Sequence, residues 1–371
     1  MLIWIILPRM LPTSEMETFA EVDLSAIRAN VKAIRSYINP AQIIAVIKAD
    51  AYGHGAIEVA KELNKVADAY GVACIEEAIE LINSGIDNTP ILLLEGVFEK
   101  SELILAEKHS LIVTVCNSIQ LQWLLDADLN EPIDVFVKYD SGMGRLGFQD
   151  DSFIQAINLL EKSNNIGEIT LMTHFSSADD LGSTLTTKQI SNFDNTLYSE
   201  KYPASLANSA AILKWSESHR EYVRPGIMLY GSSPFSEKTP LNKLTPAMTL
   251  SSVLISIKSF KAGQSIGYGS RYTCKQDMQI GVVAIGYADG YPRSAIDGTP
   301  VFINGVKSKI AGRVSMDMIT IDLTGVPNPQ IGDRVELFGE NVSVDEVAKY
   351  CNTISYEIFT KITKRVYKSY V

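Results

Sequence analysis

Ile43-Ile44-Ala45-Val46-Ile47-Lys48-Ala49-Asp50-Ala51-Tyr52-Gly53-His54-Gly55 joins an apolar, β-rich run to one lysine, two glycines and the start of a helical pattern. It reads as a buried strand, a tight loop and a helix, which is one βα unit. Burial disfavours the charged form of a lysine and turns a solvated cation into a nucleophilic amine. The plainer reading of Lys48 is a strand-end side chain that carries its head out to solvent. The rest of the chain decides between the two.

The unit repeats. Before it, Leu24, Ile27, Val31, Ile34 and Ile38 share a helical face, with Asp23 or Ser25 as cap. Apolar β-rich runs occupy 42–48, 69–74, 90–95, 111–115, 133–139, 168–174, 204–208 and 222–229. Amphipathic helical patterns lie between them near 54–66, 75–84, 100–109, 118–127, 151–163, 187–200 and 209–218. Strands alternating with helices of this length give a parallel sheet, and eight units predict closure into a (β/α)8, TIM-like barrel. An open doubly wound sheet is the alternative, but no G-x-G-x-x-G loop follows any strand.

The pattern breaks at Ser232-Ser233-Pro234-Phe235-Ser236-Glu237-Lys238-Thr239-Pro240, a polar, proline-bracketed linker. Short strands follow at 253–257, 280–285, 301–303, 309–311, 319–323 and 334–338. Asn304-Gly305 marks a hairpin, and one late helix is expected at 344–351. The predicted organisation is an extension over 1–16, a barrel over 17–240 and a strand-rich domain over 241–371. The apolar start of the chain is too short to span a bilayer, which takes about 20 residues, so no membrane association is expected, with a membrane anchor as the lesser alternative. The formal charge of −10 argues against a nucleic-acid surface. Cys74, Cys116, Cys274 and Cys351 lack metal-ligand spacing and suit reduced thiols of a cytoplasmic protein. No metal is expected.

In such barrels the chemistry gathers at the C-terminal ends of the strands. Those ends carry Lys48, then Lys138 with Asp140 and Arg145, then His174, then Asn208-Ser209, then Arg224 before Pro225-Gly226. A core has no use for so many cations, because unpaired buried charge is costly. Ser209 opens a helix and Gly226-Ile227 allows close backbone approach, which suits a phosphate. Ser209 as a plain N-cap is the simpler alternative. A phosphate site across the mouth from an amine is the arrangement pyridoxal phosphate needs.

Residues 45–55 resemble the cofactor-lysine block of bacterial alanine racemases. Lys138-Tyr139-Asp140-Ser141-Gly142-Met143-Gly144-Arg145-Leu146-Gly147-Phe148 is similar to their second block. His174-Phe175-Ser176-Ser177-Ala178-Asp179, Asn208-Ser209 and Arg224-Pro225-Gly226-Ile227-Met228-Leu229-Tyr230-Gly231 follow in family order. Gly267-Tyr268-Gly269, Gly286-Tyr287-Ala288-Asp289-Gly290-Tyr291, Gly312-Arg313-Val314-Ser315-Met316-Asp317 and Ile354-Ser355-Tyr356-Glu357 complete the match, which covers residues 19–371.

The resemblance implies pyridoxal 5′-phosphate as cofactor and the interconversion of L- and D-alanine, supplying D-alanine for peptidoglycan. It implies that Lys48 holds the cofactor and is the base on the D-alanine face, with Tyr268 the base on the L-alanine face. A phenol titrating near its usual value of about 10 is a poor base, and His174 and Arg224 are expected to supply a positive field. Arg224 belongs against the pyridine nitrogen. It keeps its own proton, which weakens the electron sink and disfavours transamination. Arg145 belongs with the cofactor phenolate oxygen and the substrate carboxylate, held by a carbamylated Lys138, since an unmodified amine there would repel it. Tyr52, Asn208, Ser209, Gly226, Ile227 and Tyr356 resemble the phosphate cradle, Met316 a backbone donor to substrate, and Tyr287 an entrance residue. A head-to-tail homodimer would bring Tyr268 and Met316 from the other subunit.

Ser141 and Ser315 are mild departures, from Thr in many relatives and from Cys in some. A related barrel decarboxylase of basic amino acids would need a Gly-Gly-Gly phosphate site, which this chain lacks. A non-catalytic cofactor-binding barrel would lack the strand-rich domain. A broad-specificity amino-acid racemase is the alternative within the family, and such enzymes are usually exported.

Overall fold

The computed structural model describes residues 18–38, 40–235 and 244–371. The extension expected over 1–16 and positions 236–240 of the linker lie outside the described residues. Two compact units result. One holds 24–245, and the other joins the described residues up to Asp23 to 246–371.

The first unit is a closed barrel of eight parallel strands: Gln42–Val46, Ala69–Val72, Ile91–Leu93, Ile112–Val115, Ile133–Lys138, Ile166–Met172, Ala204–Asn208 and Tyr222–Arg224. Closure is made where Gln42 and Ile43 register with Tyr222 and Val223. The interior is packed, not hollow. Ile44, Ala69, Leu92, Phe136 and Met172 fill one cluster, with Leu94, Ile112 and Tyr222 against it. The helices between the strands fall where the 3.6-residue periodicity puts them. The eighth run is shorter than expected. Strand Tyr222–Arg224 stops at Pro225, which has no N–H for the ladder, and Ile227–Tyr230 forms a 3₁₀ turn. That turn is apolar because it is fully buried, and Asn30 Nδ2 donates to its Leu229 carbonyl at 2.9 Å.

The second unit is an eight-stranded sheet, with a further two-stranded pair, Ser265–Ile266 and Tyr272–Thr273. Its spine is the long strand Met248–Phe260, which pairs with Phe19–Val22, Met278–Val283 and Arg334–Phe338. Phe19–Val22 also runs parallel to Tyr367–Tyr370, and the Arg334 guanidinium lies 4.1 Å over the Phe19 ring. The unit boundaries at 23/24 and 245/246 therefore differ from those read at 16/17 and 240/241, because a four-residue strand from the chain start is built into this sheet. Asn304 and Gly305 turn the hairpin between Pro300–Ile303 and Val306–Lys309 with positive φ at both positions, as expected. Helix Ser355–Thr360 joins the expected Val344–Tyr350.

Candidate active site

The first barrel strand delivers Lys48 to the C-terminal mouth, and the backbone behind it is unusual. Ala49, Asp50, Ala51 and Tyr52 all have φ between 52° and 55°, a left-handed turn built from non-glycine residues. Such a conformation costs roughly 1–2 kcal/mol per residue, so its neighbours must hold it. Ala51 N–H donates to the Ile47 carbonyl at 2.8 Å and Gly53 N–H to that of Ala49 at 3.0 Å. Glu77 accepts from Ala49 N–H at 2.7 Å and Ala73 N–H at 2.8 Å, and Asp50 accepts from Ala56 N–H at 2.8 Å. Tyr230 donates to the Val46 carbonyl at 2.9 Å and stacks on His54 with ring centroids 4.4 Å apart. Lys48 itself is half-buried, and its Nζ donates to Glu95 Oε1 at 3.0 Å.

Lys138 ends the fifth strand and is buried. Burial first, then the charges of Arg224 and Arg145, pull its ammonium below the usual lysine range, while Cys116 and Glu95 act the other way. The loop after it is fixed. Asp140 Oδ1 accepts from the N–H groups of Gly142, Met143 and Gly144 at 3.1, 3.0 and 2.9 Å, which sets the path to Arg145. At Gly147, with φ at 120°, a Cβ would stand 2.7 Å from Asp140 N. Burial, then Arg224, Lys138, Arg145 and Lys48, hold His174 well below its ordinary range, so its imidazole is neutral. Of the pair His174 and Arg224, only the arginine supplies positive charge. Arg224 is buried and donates to the carbonyls of Ser205, Thr173 and Leu206 and to the Ser205 hydroxyl. Burial lowers it to about 10, still a cation at neutral pH.

Asn208, not Ser209, caps the helix Ser209–Lys214, accepting from Ala211 N–H at 3.1 Å. Ser209 Oγ instead accepts from Gly226 N–H at 2.9 Å, and its own proton remains available to donate. A Cβ on Gly226 would meet Tyr52 Oη at 2.8 Å, so only glycine leaves this cradle open. Burial, then Glu95, push the Tyr52 phenol up to about 12, which keeps it a donor.

Lys48, Tyr52, Lys138, Arg145, His174, Asn208, Ser209, Arg224, Gly226 and Ile227 thus belong to one barrel mouth. The remaining predicted residues belong to the strand-rich unit. Tyr268 opens a 3₁₀ turn between Gly267 and Gly269 and is 71% exposed, and Met316 is 52% exposed. The loops of Tyr287 and Met316 are tied together by Tyr287 N–H to Ser315 carbonyl (3.0 Å) and Ala288 N–H to Met316 carbonyl (2.9 Å). Arg365 braces the same loops through Asp289 at 3.1 Å and Asp317 at 2.9 Å. Tyr356 lies on helix Ser355–Thr360. Among the described residues no cluster of metal-ligand type occurs, and no helix is long and apolar enough to cross a membrane.

An amine at the rim of a closed parallel barrel, with an anion cradle and a buried arginine at the same mouth, defines a barrel enzyme for a phosphorylated carbonyl cofactor. Comparison with known proteins narrows this. Residues 22–234 match the family model "Alanine racemase, N-terminal domain" and residues 247–370 "Alanine racemase, C-terminal domain". An alanine racemase of Stutzerimonas stutzeri is 44% identical over 95% of this chain and 98% of its own length. A catabolic alanine racemase of Pseudomonas putida is also 44% identical, over 95% of this chain and 98% of its own length. The crystal structure of a biosynthetic alanine racemase from Pseudomonas aeruginosa superposes with a TM-score of 0.93 at 43% identity, covering 96% of this chain and 99% of that one. The chain belongs to the alanine racemase family, isomerases that depend on pyridoxal 5′-phosphate. The residues present fit that cofactor: the open cradle at Gly226, the protonated Tyr52 phenol and the spare Ser209 proton suit its phosphate.

Glu95 is the functional neighbour that the sequence reading passed over. It ends the third β-rich run as Lys48 ends the first, so the same strand-end logic reaches it.

Proposed function

We propose that this chain interconverts L-alanine and D-alanine in the cytoplasm and supplies D-alanine for peptidoglycan. The observation that carries the reading is the mouth that holds Lys48, the Ser209–Gly226 cradle and Arg224 together. Pyridoxal 5′-phosphate supplies the electron sink for the pair left when the Cα–H bond breaks. Tyr52, Asn208, Ser209, Gly226, Ile227 and Tyr356 cradle its phosphate, and Lys48 anchors it. Arg224, which keeps its own proton, would hold the pyridine nitrogen as a donor; the weaker electron sink that results would favour return of the proton to Cα over transamination. His174, neutral, lies at the same mouth.

Lys48 takes or returns the proton on the D-alanine face, and Tyr268 does so on the L-alanine face. Arg145 orients the substrate carboxylate with its planar fork, and the Met316 N–H donates to it. Tyr287 lines the entrance. Lys138, as a carbamate, holds Arg145. The exposure of Tyr268 and Met316 supports a head-to-tail homodimer, since groups that act on substrate work best in a site closed off from bulk water, and a partner surface would cover them.

The test is direct. Purified holoenzyme converts L-alanine to D-alanine, followed by loss of optical rotation, and a panel of other L-amino acids measures breadth. Lys48→Ala abolishes both covalent cofactor capture and turnover. Tyr268→Phe slows α-hydrogen exchange from L-alanine by at least about 100-fold. Covalent capture retained by Lys48→Ala removes that residue from its role, and unchanged exchange from L-alanine does the same for Tyr268.

A further inference from the structure

The one carboxylate bonded to Lys48 among the described residues is Glu95. Its Oε1 accepts from Lys48 Nζ at 3.0 Å, and its Oε2 is buried without a hydrogen-bond partner. The turn that carries it is built to hold it still. Gln120, itself buried, donates to the carbonyls of Glu95 at 2.9 Å and Val97 at 3.0 Å, and accepts from Cys116 N–H at 2.8 Å. The next residue, Gly96, has φ at 77°, and a Cβ there would stand 2.1 Å from the Thr114 carbonyl oxygen. A side chain cannot replace that glycine without moving the turn. His174 at the same mouth feels the positive charges of Arg224, Lys138, Arg145 and Lys48 itself. A fixed carboxylate with one spare oxygen in a cationic mouth acts on the charge that develops next to it.

We propose that Glu95 is a positioning residue for Lys48, fixing its amine at the mouth and stabilising the ammonium formed when Lys48 takes a proton. The inference rests on the assignment of Lys48 to the D-alanine face. In the step concerned the Cα–H bond of D-alanine breaks and an N–H bond forms on Lys48. The electron pair from Cα is held by the cofactor, and Glu95 gains no proton. In reverse, Lys48 returns the proton to the same face. Glu95 also acts through its charge on Tyr52 and Lys138, but Lys48 is the cation it bonds, so its loss affects the D-alanine face first.

Glu95→Gln keeps size and an acceptor but removes the charge, and Glu95→Asp keeps the charge. In D2O, α-hydrogen exchange of D-alanine by the Glu95→Gln holoenzyme falls about tenfold. Exchange from L-alanine stays within about twofold, and Glu95→Asp recovers part of the loss. In the cofactor-free full chain, Lys48 is acylated by acetic anhydride about tenfold faster in Glu95→Gln, read by peptide mass spectrometry, because the ion pair no longer engages the amine. Equal losses for the two enantiomers, or equal acylation of Lys48 with and without the carboxylate, overturns the inference. Failure of the underlying assignment looks different: Lys48→Ala then still captures the cofactor covalently.

Discussion

Lys138 is held in a place that works against an ammonium. It is buried, and Arg224 and Arg145 add repulsion. The folded protein therefore releases this proton more readily than the unfolded chain, whose lysine keeps its ordinary value of 10.5. Between the lowered folded value and that ordinary value the unfolded chain binds more protons, so stability rises with pH. The penalty is complete below the folded value and absent above the ordinary one. A neutral amine is also the form that adds carbon dioxide, and a carbamate turns repulsion of Arg145 into attraction. In carbonate-free buffer the denaturation midpoint of the wild type should climb toward alkaline pH relative to Lys138→Met, and bicarbonate should add a further increment to the wild type alone. Lys138→Met should also lose about tenfold in turnover, because Arg145 would lose the anionic partner that the proposed carbamate supplies. Parallel pH slopes in the two proteins would remove the buried amine from this account.

The short element that presents Lys48 was hidden from pattern reading, although the strand before it and the helix after it were not. The strand is legible because Ile43, Ile44, Ala45, Val46 and Ile47 are apolar without interruption, and the helix Ala56–Leu63 because its apolar spacing is helical. Nothing in Ala49-Asp50-Ala51 announces a left-handed turn, since alanine is the best right-handed helix former. The conformation is imposed from outside by Glu77 and the Tyr230–His54 clasp, and Asp50 within the turn ties it to the next helix through Ala56 N–H. The 3₁₀ turn Ile227–Tyr230 escaped for a related reason, because complete burial erases any periodicity that separates it from a strand. Ala49 is exposed and at φ 53°, so Ala49→Gly should relieve strain and raise stability by about 1 kcal/mol in chemical denaturation. Ala49→Val should lower stability by at least as much. The looser turn of Ala49→Gly should also slow turnover several-fold. If Ala49→Gly is destabilising instead, the turn is not the strained element described.

Across the whole molecule, the two groups of proposed site residues were legible to different degrees. The barrel rim could be assembled residue by residue, because barrel geometry sends every strand end to one mouth. Tyr268 and Met316 carry no such signal. They sit on exposed turns where flanking glycines suit any bend, and only the family resemblance singled them out. The proposed head-to-tail pairing makes their origin testable. In a symmetric dimer each site takes Lys48 from one chain and Tyr268 from the other. A mixed dimer of Lys48→Ala with Tyr268→Ala then contains one site with both residues lost and one with both intact. Random re-association makes mixed dimers about half of the population, so about a quarter of wild-type activity should return on mixing two inactive proteins. If both residues come from one chain, every site in the mixture lacks one of them and no activity returns. A sedimentation profile of monomers at assay concentration, with full turnover, would also rule out the shared site. The mixing experiment thus reads the arrangement from activity alone, and a differential tag on the two variants isolates the mixed species for a direct count of intact sites.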